Sequence, residues 1–295
     1  MAAPLGLIAG NGVFPRLVAR GAREAGVDVV AVAHVGETEP DLEGEVRACT
    51  WIRVGELGKM IRTLKQAGCE RAVMAGGIRK ARLFSGFRPD LRGAAFLARM
   101  RTLHDDKLLR GIADEIESDG IRVIASTEYL PRLVPAPGVL SRRSPKAHER
   151  SDVDFGVRVA KAVGSFEIGQ TVVVKNGLVL AVEAVEGTDA AIRRGGELAR
   201  GGAVVVKVSK PQQDLRFDVP AVGPETIRLM AEFGATVLAV EAGRTIVLER
   251  EQMLEAAARA GIAVVAVEAP GETHAPPASG GEHAMIAVLR PGSTR

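Results

Sequence analysis

The chain has 295 residues, 46% hydrophobic and 25% charged, with a formal net charge of +3. That length supplies core enough for two domains, and the slight basicity permits anionic partners without demanding them. Aromatics make up only 3% of the residues, which leaves few stacking platforms and argues against a nucleic-acid partner.

The longest apolar runs, such as Thr171–Val174 and Ala203–Val206, are strand-length and fall short of the ~20 residues that cross a bilayer. The start Met1–Ala9 lacks the basic and apolar stretches of a signal peptide. Cys49 and Cys69 have neither disulfide-framework nor metal-site spacing. These features place the chain in the cytoplasm as an expectation.

In chain order, Leu5–Ala9 reads as a buried strand, Pro15–Ala25 as a helix and Asp28–Ala33 as a second strand. Glu56–Gln66 then reads as a helix, Arg71–Ala75 as a strand, His104–Ser118 as a helix and Ile121–Ala125 as a strand. β-branched runs alternating with amphipathic helices predict a parallel sheet covered on both faces, a Rossmann-like N-terminal domain over residues 1–132. Pro131, Pro135, Pro137 and Gly138 break the pattern, and 133–150 reads as a linker.

A second, C-terminal α/β domain is expected over 151–269. Its helix Ser151–Val163 precedes strands Thr171–Lys175 and Leu178–Ala184, joined at Asn176-Gly177, a two-residue hairpin signal. Strands Ala203–Val208, Thr236–Val240 and Thr245–Leu248, helix Gln252–Ala260 and strand Ala263–Val267 follow. From Pro270 the composition turns to Gly, Pro, Ser and His, and 270–295 reads as a poorly ordered tail.

Gly10-Asn11-Gly12 lies between the first strand and the first helix, where backbone amides can approach an anion. A plain strand–helix turn explains it equally well. Pro15 stands where a dinucleotide fingerprint needs glycine, and Glu37 lies late for the ribose-binding acid, which weakens an NAD(P)-dependent oxidoreductase reading. Gly76-Gly77 ends another strand at the same sheet edge.

Arg79, Lys80, Arg82, Arg88, Arg92, Arg99 and Arg101 interleave with Leu83, Phe84, Phe87, Phe96 and Leu97. That mixture suits acyl chains on a phosphate or an anionic membrane surface, and equally a core-facing helix with a solvated basic face. Asp105-Asp106 suits helix capping or a hard cation such as Mg²⁺. Glu186-Gly187-Thr188-Asp189 follows a strand and opens a helix. Thr188 or Asp189 is expected to cap it, leaving other oxygens, including those of Glu183, for a metal or ribose. In Lys210–Gly223, Asp214, Arg216 and Asp218 alternate, a pattern that suits a metal-phosphate site or a surface ion-pair ladder.

Taken together, Gly6–Pro15, Gly55–Lys59, Asp105–Arg110, Ser144-Pro145, Ile168–Gln170, Gly177–Glu183, Glu186–Asp189 and Lys210–Gly223 resemble the LpxI-type UDP-2,3-diacylglucosamine pyrophosphatase family over nearly all of 4–268. The resemblance implies Mg²⁺-assisted hydrolysis of UDP-2,3-diacylglucosamine to 2,3-diacylglucosamine 1-phosphate (lipid X) and UMP, in lipid A biosynthesis. The lipid is expected between the two domains, and water attacks the sugar-side phosphorus. The family's key acid falls on Asp218. On this reading Asp218 and Asp189 are catalytic, and Asp105, Asp106, Asp189 and Asp218 hold Mg²⁺ or another divalent cation. Gly10, Asn11, Gly12, Gly76, Gly77, Thr188, Lys207, Lys210 and Gln213 are expected to bind substrate. Peripheral contact with the inner face of the inner membrane and a homodimer are further expectations. A non-catalytic nucleotide-sugar binding protein is the remaining alternative.

Overall fold

A computed structural model describes residues 2–79, 88–100 and 105–268. The first domain is built on strands β1 (Leu5–Ala9), β2 (Val29–His34), β3 (Ala48–Ile52), β4 (Arg71–Ala75) and β5 (Arg122–Ile124). They form one sheet in the order β3-β2-β1-β4-β5, every neighbouring pair parallel. Its helices are α1 (Phe14–Glu24), α2 (Leu57–Gln66), α3 (Leu91–Arg99) and α4 (Asp105–Glu117).

Successive strand residues point to opposite faces, and each face has its own cluster. Leu5, Leu7, Val29 and Ala31 pack with Val18, Ala19 and Ala22 of α1. Ile8, Val30 and Val32 pack on the other face with Met60, Ile61 and Leu64 of α2, Phe96 of α3, and Ala113 and Ile116 of α4. Because both faces are covered, these strands read as unbroken apolar runs.

In the second domain, helix α5 (Ala147–Ser165) precedes a sheet in the order β6-β13-β11-β9-β7-β8. The strands are β6 (Gly138–Val139), β7 (Thr171–Lys175), β8 (Leu178–Val182), β9 (Val204–Lys207), β11 (Val237–Glu241) and β13 (Ala263–Val267). The inner trio β9, β11 and β13 is parallel, whereas β7, β8 and β6 join antiparallel. Strands β10 (Ala221–Val222) and β12 (Ile246–Val247) form a separate parallel pair. Val153, Val157 and Ala160 of α5 cover one face of the larger sheet. Helices α6 (Thr188–Ala199), α7 (Pro224–Glu232) and α8 (Arg250–Ala260) cover the other. The buried carboxylate of Asp152 accepts the Asn176 and Gly177 amides, 2.7 Å each, and pins the β7–β8 hairpin.

The segment expected as a linker, 133–150, is incorporated into the second domain. Gly138–Val139 pairs antiparallel with β13. The helix expected from Ser151 begins at Ala147, where Glu149 accepts both the Lys146 amide at 2.7 Å and the Arg143 guanidinium at 2.6 Å. Proline punctuation marked the change of domain, but these tertiary partners set the boundary. The expected tail, 270–295, lies outside the described residues. Among the described residues, no helix is long and apolar enough to cross a membrane.

The Rossmann-type strand order has a consequence for the site. β1 and β4 are adjacent, yet the chain leaves them for opposite halves of the sheet, so their carboxyl ends form its switch point. Gly10 follows β1 and Gly76-Gly77 follows β4, and the two turns lock together through Asn11 N donating to Gly77 O at 2.8 Å. A Cβ at Gly76, whose φ is +80°, would lie 2.4 Å from Asn11 O, and one at Gly10 would lie 2.3 Å from Gly77 O. Gly76→Ala should therefore cost about 2–4 kcal/mol, combining the left-handed backbone with overpacking. Gly26→Ala, at φ +75° with nothing within 4 Å, should cost only about 1 kcal/mol. Urea unfolding of both variants makes the comparison, and equal losses would contradict the steric account.

Candidate active site

The carboxyl edges of the two sheets contribute to one cavity of about 740 Å³. Gly10, His34, Gly76, Gly77 and Ser126 line it from the first domain, with Ile8, Ile52, Met60, Met74, Phe96 and Leu97. Lys210, Phe217, Asp218 and Val219 enter from the second. Most of this wall is apolar, and its charged groups come chiefly from the segment 210–218.

That segment is held at both ends. Arg216 donates to Asp214 at 2.8 Å in its own turn and to Glu117 of α4 at 3.2 Å. Phe217 packs against the core cluster of the first domain, and Arg110 of α4 donates to Gln212 O at 2.5 Å. At the other end, the Ser209 amide and hydroxyl donate to the buried Glu241 carboxylate at 2.6 and 2.8 Å. Lys161 also binds that carboxylate, at 2.7 Å.

Within the segment, Gln213 is 6% exposed. Its Oε1 accepts the Lys210 amide at 2.8 Å, and its Nε2 donates to Asp218 Oδ2 at 2.6 Å. Its amide thus orients Asp218. Lys210 Nζ donates to Glu167 at 3.0 Å.

Antiparallel register assembles a second group beside the first. Thr171 opposes Lys207, Val172 opposes Val182, and Glu183 follows β8 at the same edge. Glu183 accepts Thr188 Oγ1 at 2.9 Å, and Thr188 Oγ1 accepts Lys207 Nζ at 3.2 Å. Lys207 also donates to Ala221 O at 3.0 Å. The expectation that Thr188 or Asp189 caps α6 is corrected here: no side chain caps that helix, because the Thr188 hydroxyl turns to Glu183 instead. Burial lowers the Lys207 pKa from its ordinary value, partly offset by the Glu183, Asp189 and Asp218 carboxylates.

The expected site residues therefore divide. Gly10, Gly76, Gly77, Lys210 and Asp218 line the cavity, Gln213 holds Asp218, and Lys207, which donates to Thr188, feels the charges of both Asp189 and Asp218. Asn11 turns away to donate to the buried Glu37 at 3.1 Å, and Gly12 has open space around it. Burial works against the charge on Glu37, yet donors from Arg79 and Asn11 hold its pKa below the usual range.

Asp105 and Asp106 open α4, and their side chains lie outside the described residues. Among the described residues no group of three or more His, Cys, Asp or Glu side chains is disposed to hold a metal. The oxygen donors of Asp189 and Asp218 still suit Mg²⁺, which binds through one or two carboxylates together with substrate phosphates. Lys80–Phe87, the centre of the expected lipid-facing stretch, is also outside the described set. Three of its described arginines spend their charge internally: Arg79 on Glu37, Arg92 on Glu115 and Asp119, and Arg99 on Glu115.

His34 was not among the expected site residues. It ends β2 and is 9% exposed. Its Nδ1 lies 2.8 Å from Ala9 O, and since a carbonyl only accepts, Nδ1 carries the proton. Burial lowers its pKa, outweighing the Ala9 carbonyl and the Glu37 charge. The unfolded chain then takes up a proton near pH 6.5 while the folded chain does not, so stability falls as the pH drops below that value. In urea titrations at about pH 7.5 and 5.5, the wild type should lose more stability on acidification than His34→Asn.

A two-domain α/β protein with a polar site at the facing carboxyl edges of its sheets is the class these features define. The sequence matches the LpxI N-terminal domain over residues 4–133 and the LpxI C-terminal domain over 136–265. It is 36% identical over 275 residues to the UDP-2,3-diacylglucosamine pyrophosphatase LpxI of Caulobacter vibrioides, covering 90% of this chain and 97% of that protein. The chain belongs to the LpxI family. Among solved structures, the biotin carboxylase domain of a thermophilic 2-oxoglutarate carboxylase is 16% identical, with a TM-score of 0.26, over 57% of this chain and 34% of that one. N5-carboxyaminoimidazole synthetase from Staphylococcus aureus is 13% identical, with a TM-score of 0.24, over 66% and 44%. Likeness at that level carries no argument.

Proposed function

We propose that this protein hydrolyses UDP-2,3-diacylglucosamine to 2,3-diacylglucosamine 1-phosphate and UMP with the help of a divalent cation. The observation that carries the reading is the interdomain cavity. A largely apolar chamber, suited to acyl chains, meets Asp218 and Lys210 on one wall, where a diphosphate requires charge. Family membership supports the same substrate.

In this reaction a water oxygen bonds to the sugar-side phosphorus, and the bond from that phosphorus to the bridging oxygen breaks. UMP departs with the bridging oxygen. Asp218 orients the water and takes its proton, and Gln213 Nε2 holds the carboxylate in place. Lys210 and Lys207 offset the phosphate charge. Mg²⁺, held by Asp189 and Asp218, would draw charge from the diphosphate oxygens. An acylated substrate also places the protein, within the same proposal, at the cytoplasmic face of the inner membrane as a peripheral visitor.

The test is incubation with UDP-2,3-diacylglucosamine and Mg²⁺, followed by identification of the products. UMP and the lipid 1-phosphate are expected, and excess EDTA should stop their release. Full turnover in EDTA would remove the metal from the proposal. Asp218→Ala should lower kcat by about 10²–10⁴, the usual range for a positioned acid or base. Lipid binding, measured directly on the same variant, should change little. A variant keeping more than about a tenth of wild-type kcat would move Asp218 from the chemistry to the scaffold.

A further inference from the structure

We infer that His34 offers the lone pair of Nε2, as a hydrogen-bond acceptor, to a hydroxyl or amide N–H of the ligand in the interdomain cavity. Nothing in the proposed chemistry uses this residue. It stands on the first domain's wall, which carries none of the charged groups assigned to the diphosphate.

Four observations lead there. His34 is nine-tenths buried and is one of the residues lining the cavity. Nδ1 donates to Ala9 O, which fixes the tautomer and makes the other ring nitrogen an acceptor. That ring position is braced, because Thr38 Oγ1 donates to the same carbonyl at 2.6 Å and accepts the His34 amide at 2.9 Å. Among the described residues no hydrogen bond reaches Nε2, and this nitrogen is not one of the sealed, unsatisfied polar atoms of the interior.

A neutral acceptor held rigidly in an apolar wall rewards a ligand that brings a donor. It penalises one that leaves the nitrogen desolvated and unpaired. The ligand class is therefore a mainly apolar molecule bearing a hydroxyl or an amide N–H. Within the proposed function, on which this inference rests, the donor is either a hydroxyl on an acyl chain or the N–H of the 2-acylamino group.

The experiment uses the full chain with ring-¹⁵N histidine and 2,3-diacylglucosamine 1-phosphate as the probe. Three forms of the lipid distinguish the sources: one with a chain hydroxyl and a free amide N–H, one without the hydroxyl, and one with the amide N-methylated. His34→Asn keeps a donor for Ala9 O but has no atom at the Nε2 position, and His34→Gln does the reverse. The complete lipid should shift the Nε2 resonance of His34, and His34→Asn should weaken its binding roughly three- to tenfold with little change in unfolding at neutral pH. Removing the correct donor from the lipid should cost the wild type a similar factor and cost His34→Asn nothing further. Partial recovery in His34→Gln would agree.

Lipid binding that leaves the Nε2 resonance and all variant affinities unchanged would overturn this inference alone. A wild type that binds none of the lipids and hydrolyses none of their UDP conjugates would overturn the proposed function with it.

Discussion

The site depends on how the segment 210–218 is anchored. This stretch forms no long helix or strand of its own, so its shape is imposed from outside. Glu241 grips Ser209 at its start, and Arg216 and Phe217 tie its end to α4 and the core of the first domain. Between those anchors, Gln213 transmits the backbone position of Lys210 to the carboxylate of Asp218. An isolated exposed ion pair contributes little. Here the pairs work together with a buried carboxylate and an aromatic contact, and they hold the polar wall of the cavity against the apolar one.

The cavity itself follows from strand order. In a parallel sheet with helices on both faces, the carboxyl ends of strands that diverge leave a crevice. The first domain supplies that crevice between β1 and β4, closed at its floor by the interlocked glycine turns. The second domain faces it with its own carboxyl edge, where β9 and β11 end in Lys207 and Glu241. Both domains line the cavity, and the second brings Asp218 and Lys210 to the first domain's largely apolar wall. In the proposed reaction, water exclusion between them would strengthen the action of Asp218, Lys207 and Lys210 on the diphosphate, because charges interact more strongly where the dielectric is low.

Buried polar groups mark where this design departs from plain packing. Glu37, Glu183, Glu241 and His34 are all nine-tenths or more buried. Glu37, Glu183 and Glu241 are answered by internal donors: Glu37 by Asn11 and Arg79, Glu183 by Thr188 and the Gln170 amide, and Glu241 by Lys161 and Ser209. His34 has one nitrogen answered within the fold, and its other nitrogen belongs to a side chain that lines the cavity.

Sequence alone determined the alternation of strands and helices, because both faces of each sheet must be covered and the resulting apolar runs stand out against polar helices. Strands such as Arg71–Ala75, Thr171–Lys175 and Ala263–Val267 coincide with their apolar runs, and Asn176-Gly177 announced its hairpin through the backbone it permits. The strand Ala48–Ile52 stayed hidden because it is an edge strand, only partly buried, with no continuous apolar run. Local motifs also singled out Asp218, Lys207 and Lys210, with Thr188 and Gln213 beside them, but not which of these bond to one another. Thr188 binds Glu183 within the same β8–α6 connection, and antiparallel register then brings Lys207 of β9 to that hydroxyl from a separate strand. Gln213 lies only five residues from Asp218, but the turn that joins them takes its shape from the distant anchors on Ser209 and Arg216. That His34 lines a cavity formed with another domain was decided by packing over long sequence separations. Those contacts have no local period or motif, so only the tertiary structure could determine them.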